Sequence, residues 1–554
     1  MSGTGAGTGA GADARARPEW WRSGVIYQIY PRSFQDSDGD GVGDLPGITR
    51  RLDHVASLGV DAVWLSPFFT SPQRDMGYDV SDYCGVDPLF GTMADFDALV
   101  ARAHELGLKV VIDLVLSHTS DLHPWFAESR ASRANPRADW YVWADPKQDG
   151  SPPNNWSSVF GGPAWTFDSR RRQYYMHNFL PKQPDLNFHN PEVVAAVLDV
   201  MRFWLKRGVD GFRLDTVNYY THDARLRDDP ASEWPEGQFP VNPYDAKLHL
   251  FSKTRPENLA VLAQMRALCD AHGAMLIGEV GEEGDRQITV MGEYTSGHRL
   301  NLAYSFSLLG PEHDAAHFRR VIEGFFTGAP DGWPSWAFSN HDVPRHVSRW
   351  TPKSGDSDAV ARQAIALLAS FPGAIGIYQG EELGQTETDI LFEEVRDTAR
   401  IAFWPEDKGR DGCRTPMVWE AAAPNGGFST GTPWLPVKPP QMAHAADLQD
   451  GRPGSVLTAY RETLAFRRQS AALREGGARF LDLPEPVLAL ERVTVSEHLA
   501  CVFNLSADPV TLTGTRDARL AGPGTGMLAE GVLSLPAWGF AWLSSGAALP
   551  LAVR

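Results

Sequence analysis

The sequence predicts an α/β protein built on a (β/α)8 (TIM) barrel, with a small domain inserted after the third strand and an antiparallel β domain at the C-terminus. Two observations support this fold class. From residue 25 onward, short apolar runs alternate with amphipathic helical patterns, as in parallel α/β proteins. Acidic residues also stand at the ends of several apolar runs, notably Asp215, Glu279 and Asp342. A barrel places its functional groups at the carboxyl ends of its strands.

The predicted strands and helices follow one another in the order that a barrel requires. Strands are predicted at residues 25–30, 61–66, 108–116, 209–214, 275–280, 302–306, 335–339 and 374–378, and helices at 48–58, 93–106 and 191–207. The strand runs lack polar alternation, which indicates strands that are buried on both faces. A doubly wound sheet uses the same alternation of elements, so the number and order of the strands decide for the barrel.

Two stretches interrupt this alternation. Residues between 118 and 183 are rich in Pro, Trp, Asn and Asp and are too many for an ordinary loop, while β-prone runs such as 499–503 and 539–543 follow residue 480. We therefore predict a barrel formed by residues 18–118 and 185–478, an inserted domain at 119–184 and a C-terminal β domain at 479–554. Residues 1–17 are rich in Gly, Ala and Thr and are expected to form a disordered tail rather than a signal peptide.

Composition excludes some classes of partner. The formal net charge of −18 argues against a nucleic-acid surface, because phosphate binding needs basic patches. We find no run of about 18 apolar residues that would cross a membrane. The four cysteines are scattered without metal-ligand spacing and indicate reduced thiols, so we expect a cytoplasmic protein. The oligomeric state stays open between a monomer and a small homo-oligomer.

Six short segments carry a resemblance to a known family. They are 113–118 (DLVLSH), 183–187 (QPDLN), 211–215 (GFRLD), 278–279 (GE), 338–342 (FSNHD) and 410–417 (RDGCRTPM). In this order, they resemble glycoside hydrolase family 13, the α-amylase superfamily, and within it the branch of α-glucosidases and oligo-1,6-glucosidases. The resemblance extends from about residue 20 to the C-terminus.

The resemblance implies a catalytic role for each of the three carboxylates. Cleavage with retention of configuration needs a nucleophilic carboxylate and an acid/base carboxyl about 5 Å apart. By resemblance, Asp215 is the nucleophile, Glu279 is the acid/base, and Asp342 stabilises the transition state. Arg213 lies two residues before Asp215 and therefore on the same face of the strand, where it should pair with Asp215 and keep it ionised.

The resemblance also implies a pocket for one glucose at the non-reducing end of the substrate. Asp75 and Arg410 should hold the 4- and 6-hydroxyls, and Tyr78 should stack beneath the ring. Further residues implied in substrate binding are the histidines His118 and His341 and the aromatic residues Phe160 and Phe179. For Phe160, plain packing within the inserted domain is an equal alternative.

A Gly-rich acidic loop at residues 36–44 is a candidate cation site. Its acidic residues stand mostly at alternate positions, and their oxygens suit a hard cation, Ca²⁺ or Mg²⁺. In the family that the chain resembles, this loop carries a structural cation, and the ligands implied are Asp36, Asp38, Asp40, Asp44 and the carbonyl of Val42. The alternative is an acidic solvated loop. We expect no organic cofactor.

Thr216 indicates the preferred linkage. Relatives in this branch that cleave α-1,6 bonds tend to carry Val after the nucleophile, and those that prefer α-1,4 bonds tend to carry Thr or Ala. We therefore predict a retaining exo-α-glucosidase that acts on short α-1,4-linked oligosaccharides such as maltose, with possible transglucosylation. The alternatives are an oligo-1,6-glucosidase, a maltose-converting isomerase or transferase of the trehalose synthase type, and, more distantly, an inactive binding subunit.

Overall fold

A parallel barrel forms the centre of the computed structural model, which describes residues 19–351 and 355–554. The predicted tail at residues 1–17 lies outside these ranges. The barrel strands within them are β1 (Val25–Ile29), β2 (Ala62–Leu65), β3 (Lys109–Leu114), β4 (Gly211–Leu214), β5 (Met275–Val280), β6 (Leu302–Ser305), β7 (Ser335–Trp336) and β8 (Ala374–Tyr378). They pair in the order β6-β5-β4-β3-β2-β1-β8-β7. A single parallel bridge between Ala303 and Pro334 joins the two ends of this sheet, so the predicted barrel is confirmed.

A helix follows each strand and covers the outside of the barrel. These helices are α1 (Leu45–Ser57), α2 (Met93–Glu105), α3 (Pro191–Leu205), α4 (Asn258–His272), α5 (Arg286–Thr295), α6 (Ala315–Gly328), α7 (Ser357–Ser370) and α8 (Val456–Gln469). Short polar side chains begin several of them: Asp44 accepts from the Gly47 amide at α1, and Thr92 forms a reciprocal capping box at α2. Shorter helices lie at Pro124–Ala131, His346–Trp350, Pro439–Met442, Ala446–Gln449 and Ala471–Glu475.

An inserted segment separates β3 from α3. It contains the helix Pro124–Ala131 and an antiparallel sheet of strands Trp143–Ala144, Gln173–Met176 and Trp165–Asp168, in that order. The aromatic side chains of Trp156 and Trp165 pack in its core. The segment leaves the barrel at the carboxyl end of β3, so it stands beside the edge where the predicted catalytic residues lie.

The C-terminal region consists of two antiparallel sheets. One contains the strands Gly477–Phe480, Val487–Val493, His498–Asn504, Phe540–Ser544 and Arg519–Ala521, and the other contains Met527–Ala529, Val532–Leu535, Val510–Thr513 and Ala552–Val553. Leu512, Leu533 and Leu543 belong to an apolar core between them. The predicted antiparallel β domain at the C-terminus is therefore confirmed.

The seventh strand is shorter than the sequence predicts. The apolar run at 335–339 predicts five strand residues, but β7 ends at Trp336. Phe338 turns away from the ladder and packs edge-on against Trp350, with ring centroids 4.7 Å apart. Asp342 consequently stands on a loop beyond β7 rather than at the strand end.

In residues 19–351 and 355–554, no helix combines the length and the apolar character needed to cross a bilayer. The cysteines Cys84, Cys269, Cys413 and Cys501 are all free thiols, and all but Cys84 are buried.

Candidate active site

The three predicted catalytic carboxylates meet in one pocket at the carboxyl edge of the barrel. Asp215 directly follows β4, Glu279 lies near the end of β5, and Asp342 comes from the loop after β7. The parallel register pairs Ile277 with Arg213, which brings Glu279 level with Asp215. All three carboxylates line a pocket of about 190 Å³. Asp215 and Glu279 are almost fully buried, whereas the side chain of Asp342 is 19% exposed.

The buried guanidinium group of Arg213 contacts two of these carboxylates, Asp215 and Glu279, and a third one, Asp113. Nη1 of Arg213 lies 2.5 Å from Asp215 Oδ1 and 2.8 Å from Asp113 Oδ1, and Nη2 lies 2.8 Å from Glu279 Oε2. The hydroxyl of Tyr304 takes a further hydrogen bond of 2.7 Å from Nη2. The sequence predicts the pair with Asp215, but the structure shows that Arg213 divides its charge among three carboxylates.

Arg213 pairs with Asp215 as predicted, but a guanidinium shared among three carboxylates does not hold the pKa of Asp215 low. Burial raises the pKa of Asp215 to about 7, and the nearby Arg213 opposes this rise without cancelling it. Burial also raises the pKa of Glu279 to about 8, with Asp215 and Asp342 adding repulsion. Burial and mutual repulsion thus favour a proton on this pair of carboxyls near neutral pH, as the acid/base step of a glycosidase requires.

Asp342 remains ionised in the same pocket. Burial raises its pKa, but the guanidinium groups of Arg410 and Arg414 oppose burial and hold the pKa well below its usual range. Arg414 Nη2 lies 2.9 Å from Asp342 Oδ1. Asp342 thus differs in proton affinity from Asp215 and Glu279, because Arg410 and Arg414 lie beside it whereas the other two share Arg213.

A closed network of charges forms the blind end of the pocket. Nη2 of Arg410 lies 2.7 Å from Asp75 Oδ1, its Nη1 lies 3.3 Å from Asp342, and its Nε lies 2.5 Å from Asp397 Oδ2. All of these side chains except Asp342 are at least nine-tenths buried. The structure therefore brings Asp75 and Arg410 together as predicted.

The sequence analysis did not identify Asp397 and Arg414 as site residues. Arg414 stands four residues after Arg410 in the segment 410–417, and this spacing could have drawn attention to it. Asp397 lies between predicted elements, and no sequence signal distinguishes it from the other acidic residues of its loop. Only the fold shows that it supports the Arg410 guanidinium.

The predicted pocket histidines are neutral and buried around Tyr78. The rings of Tyr78 and His341 stack with centroids 5.3 Å apart, and the Tyr78 hydroxyl contacts His341 Nε2. Burial lowers the pKa of His118 to about 4 and that of His341 well below its usual value. Gln183, from the segment 183–187, contacts both His118 Nε2, at 3.1 Å, and Asp75 Oδ2, at 2.9 Å.

Aromatic side chains form the rim of the pocket. Phe160 and Phe179 both line it, with ring centroids 5.8 Å apart, and the Arg410 guanidinium lies 5.3 Å from the Phe160 ring centroid. The structure thus places both predicted aromatic residues at the pocket. Tyr219 and Phe306 line it as well, although the sequence did not single them out.

The residue after the nucleophile has an unusual backbone conformation. Thr216 has φ 41° and ψ 48°, in the left-handed region. For a β-branched residue, such a conformation costs about 1–3 kcal/mol and persists only where the surroundings impose it. The Thr216 amide donates to Glu279 Oε2 at 3.0 Å. The Thr216 side chain also lines the pocket, as its predicted role in linkage preference requires.

The acidic loop brings three of its predicted cation ligands together. Carboxylate oxygens of Asp36, Asp38 and Asp40 lie within 4.8 Å of one another, and this donor set fits a hard cation. Asp44 is not part of this group; its carboxylate accepts from the Gly47 amide in the first turn of α1 and from the Ser37 amide in the acidic loop. The side chains therefore support three of the four predicted carboxylate ligands.

The fold and the site together define an enzyme class. A parallel barrel that gathers an acid carboxyl, a second buried carboxylate and a closed, aromatic-rimmed pocket at its carboxyl edge has the parts of a glycoside hydrolase.

Comparison with known proteins gives the family. Residues 28–476 match the family described as alpha amylase, catalytic domain. The chain is 54% identical over 533 residues to a probable alpha-glucosidase of Rhizobium meliloti (strain 1021), covering 94% of this chain and 96% of the relative. It is 37% identical over 536 residues to an oligo-1,6-glucosidase of Heyndrickxia coagulans, covering 89% and 93%. The chain therefore belongs to the α-amylase family and is a glycoside hydrolase.

Solved structures agree with this assignment. The crystal structure of an alpha-glucosyl transfer enzyme, XgtA, matches with a TM-score of 0.92 and 51% identity, covering 95% of this chain and 99% of that chain. The trehalulose synthase MutB from Pseudomonas mesoacidophila MX-45 matches with a TM-score of 0.84 and 32% identity, covering 95% and 99%. Both similarities extend through the barrel, the inserted segment and the C-terminal sheets.

Proposed function

We propose that this chain is a retaining, exo-acting α-glucosidase that releases α-glucose from the non-reducing end of short α-1,4-linked glucosides such as maltose. The observation that carries the proposal is the contact of Asp215 and Glu279 with one guanidinium group, at 2.5 and 2.8 Å. Two carboxylates that bind the same guanidinium group must lie close together. This favours the short carboxyl–carboxyl separation of retaining enzymes over the wider separation that admits a water in inverting enzymes.

In the proposed reaction, the two carboxylates act in turn. Glu279 donates its proton to the glycosidic oxygen while Asp215 attacks the anomeric carbon, which releases the leaving sugar and forms a covalent glucosyl-enzyme. Glu279, now ionised, then takes a proton from water as the water oxygen displaces Asp215. Asp342 accepts hydrogen bonds from sugar hydroxyls and supports the distorted ring in the transition state.

The contacts of the two carboxyl groups suggest which oxygen performs each step. Oδ1 of Asp215 is bound by Arg213, whereas Oδ2 has only a long contact of 3.4 Å with the Thr216 hydroxyl and is available for attack. Oε2 of Glu279 receives Arg213 and the Thr216 amide, whereas Oε1 has only the Tyr304 hydroxyl at 3.3 Å. We therefore assign the transferred proton to Oε1.

The exo mode follows from the blind end of the pocket. The ion pair between Asp75 and Arg410 closes it and presents charged groups that suit the 4- and 6-hydroxyls of a terminal glucose. Tyr78 offers its ring face to the sugar, and His118, His341, Phe160 and Phe179 complete the subsite. A chain that continued beyond this sugar would have to displace a buried ion pair.

The loop after β4 supports a preference for short substrates. Residues 219–256 form a wall beside the pocket, and this loop is hydrogen-bonded to the inserted segment. The Trp156 indole donates to the Arg227 carbonyl at 2.9 Å, and the Asn242 amide donates to the Val159 carbonyl at 2.8 Å. Tyr219, at the start of this loop, lines the pocket itself. A polymer would collide with this wall on the side of the leaving sugar.

Glucosyl transfer is a second candidate activity. The 51% identical solved structure described as an alpha-glucosyl transfer enzyme favours it, and a covalent glucosyl-enzyme reacts with a sugar or alcohol hydroxyl as it does with water. The alternative function of an oligo-1,6-glucosidase depends on the residue after the nucleophile. That residue is Thr216, which favours α-1,4 over α-1,6 bonds. An inactive binding subunit is disfavoured because all three carboxylates converge in the pocket.

We further propose that the acidic loop binds a structural Ca²⁺ or Mg²⁺. Asp36, Asp38 and Asp40 would supply carboxylate oxygens, and the Val42 carbonyl would supply a further oxygen ligand. Burial and the charges of Asp38 and Asp36 raise the pKa of Asp40, with the Val42 amide opposing this rise. A cation would relieve the repulsion. The bound ion would fix the loop against the 429–432 segment, where the Ser429 hydroxyl donates to Asp36 at 2.6 Å.

A product time course by NMR tests the proposed function. Purified enzyme is given maltose, isomaltose, sucrose, trehalose and maltotetraose separately, with Glu279→Gln as the control. We expect rapid release of the α-anomer of glucose from maltose, slow attack on isomaltose and an inactive control. Formation of trehalose from maltose would instead assign an isomerase. Absence of any turnover would assign a binding role. Initial release of β-glucose would refute retention.

A further inference from the structure

The strained residue beside the nucleophile is held from outside its own strand. Thr216 Oγ1 lies 3.0 Å from the hydroxyl of Ser117, which stands beyond the end of β3. Ser117 Oγ in turn lies 2.9 Å from Nδ1 of His118. Ser117 is 1% exposed, so no bulk water competes for its hydroxyl.

His118 holds the Ser117 hydroxyl in either tautomer. Nε2 of His118 lies 3.0 Å from the carbonyl oxygen of Tyr78 and 3.1 Å from the side-chain amide nitrogen of Gln183, so it faces both an acceptor and a donor. With the ring proton on Nε2, Nδ1 accepts from Ser117, and the Ser117 oxygen accepts from Thr216. With the ring proton on Nδ1, both hydrogen bonds reverse. In each case the Ser117 hydroxyl joins His118 Nδ1 to the Thr216 hydroxyl.

The left-handed conformation has a direct consequence for the acid/base residue. The Asp215 amide still follows the parallel ladder and donates to the Leu114 carbonyl at 3.0 Å. The next amide leaves the ladder and donates to Glu279 Oε2 at 3.0 Å. It lies in the peptide plane between Asp215 and Thr216, and rotation of that plane changes ψ of Asp215 and φ of Thr216 together. Because β4 and the short helix Val217–Tyr219 fix the chain on either side, a negative φ at Thr216 would require this plane to rotate and would turn the amide away from Glu279.

We propose that Ser117 is a positioning residue, whose hydroxyl holds Thr216 in the left-handed conformation and thereby keeps the Thr216 amide on Glu279. This inference rests on the proposed function, because it matters for turnover only if Glu279 is the acid/base. Ser117 touches neither the substrate pocket nor Glu279, and it acts through the backbone of its neighbour.

The inference predicts a change in the pH profile as well as in rate. The Thr216 amide stabilises the ionised form of Glu279, so losing this contact favours the protonated form. For Ser117→Ala, the basic limb of the kcat/KM profile should move up by about one pH unit, the value of one hydrogen bond to an ionised group. The maximal kcat/KM should fall by about tenfold. Ser117→Thr, which keeps a hydroxyl, should restore the wild-type limb.

Glycine at position 216 provides the decisive comparison. Glycine adopts the left-handed conformation without strain, so Thr216→Gly no longer needs the Ser117 hydroxyl. Adding Ser117→Ala to Thr216→Gly should change kcat/KM less than twofold and leave the basic limb in place. Ser370→Ala removes a buried hydroxyl from α7 and serves as the matched control. Thermal unfolding establishes that each variant is folded.

The outcomes distinguish a failure of the positioning role of Ser117 from a failure of the proposed function. An equal loss from Ser117→Ala in the wild-type and Thr216→Gly backgrounds would overturn the positioning role, as would a basic limb that does not move. If Glu279→Gln instead kept wild-type activity on maltose, the proposed function itself would fail. If Glu279→Gln is inactive but the effects of Ser117→Ala and Thr216→Gly simply add, the proposed function stands and only the role of Ser117 is rejected.

Discussion

Replacing Asp113 with Asn tests how the shared guanidinium controls the nucleophile. Asp113 is fully buried, does not line the pocket, and competes with Asp215 for Nη1 of Arg213. Its charge is one of the causes that raise the pKa of Asp215. Removing that charge leaves Arg213 to Asp215 and Glu279, so the pKa of Asp215 should fall.

The distances set the size of this effect. Oδ1 of Asp113 and Oδ1 of Asp215 lie 2.8 and 2.5 Å from the same nitrogen. They are therefore at most about 5 Å apart, and at an effective dielectric constant of about 20 two unit charges at that distance repel by about 3 kcal/mol. One pKa unit corresponds to about 1.4 kcal/mol, so the pKa of Asp215 should fall by about two units.

The substitution also costs stability. Oδ2 of Asp113 accepts from the Trp64 indole and the Tyr78 hydroxyl, both at 3.2 Å, while Oδ1 faces Arg213. An Asn amide has only one oxygen, so its NH2 group must face either Arg213 or the Trp64 and Tyr78 donors, and two donors then meet without an acceptor. A buried unpaired donor costs about 1–3 kcal/mol, and the melting temperature should fall accordingly.

The assay is the pH dependence of kcat/KM on maltose, below the melting temperature of the variant. Asp215 must be ionised to attack, so activity rises as the pH increases through its pKa, which is about 7 in the wild-type protein. For Asp113→Asn, the acidic limb should move down by about two pH units. The matched control, Asp53→Asn, removes an exposed carboxylate and should leave the limb unchanged. An acidic limb that stays in place or moves up in a folded variant would refute the reasoning.

Four further predictions concern the wild-type enzyme, its linkage preference, its blind pocket and its cation. Because burial raises the pKa of both Asp215 and Glu279, kcat/KM should follow a bell-shaped profile with its maximum near neutral pH, and a broad plateau from pH 5 would contradict the pairing. Thr216→Val should raise isomaltose cleavage relative to maltose, and an unchanged ratio would remove Thr216 from linkage selection. Asp75→Ala should lower kcat/KM on maltose on the order of 100-fold, because it removes charged hydrogen bonds to a terminal sugar; wild-type kinetics would exclude the proposed exo subsite. Chelation should lower the melting temperature and Ca²⁺ or Mg²⁺ should restore it, whereas an Asp38→Asn variant should not respond, and chelator-resistant wild-type protein would exclude the cation.

Local sequence was enough for most of the barrel because buried parallel strands produce uninterrupted apolar runs. The run at residues 302–306 corresponds to β6, at Leu302–Ser305, and the run at 275–280 corresponds to β5 residue for residue. The run at 335–339 predicted too long a strand, since β7 ends at Trp336 and Phe338 packs against Trp350 of a helix instead. An apolar residue looks the same in sequence whether it faces a strand neighbour or a helix.

Candidate site residues were predictable where they stood in short segments of fixed order. Asp215, Glu279 and Asp342 were identified in this way, and the structure brings them into one pocket. Asp397 was not identified, because its only distinction is a contact with Arg410, 13 residues away along the chain. A contact made by folding leaves no local mark in the sequence.

The sequence by itself determined the parts: eight apolar runs, the carboxylates at their ends, and the residue types that glycoside cleavage needs. The tertiary structure decided how charge is distributed among those parts. It placed one Arg213 among three carboxylates, put Thr216 in a left-handed conformation and buried Glu279 deeply enough to raise its pKa to about 8. Proton affinity depends on burial and on charges within a few ångströms, and both are properties of three-dimensional neighbours rather than of position along the chain.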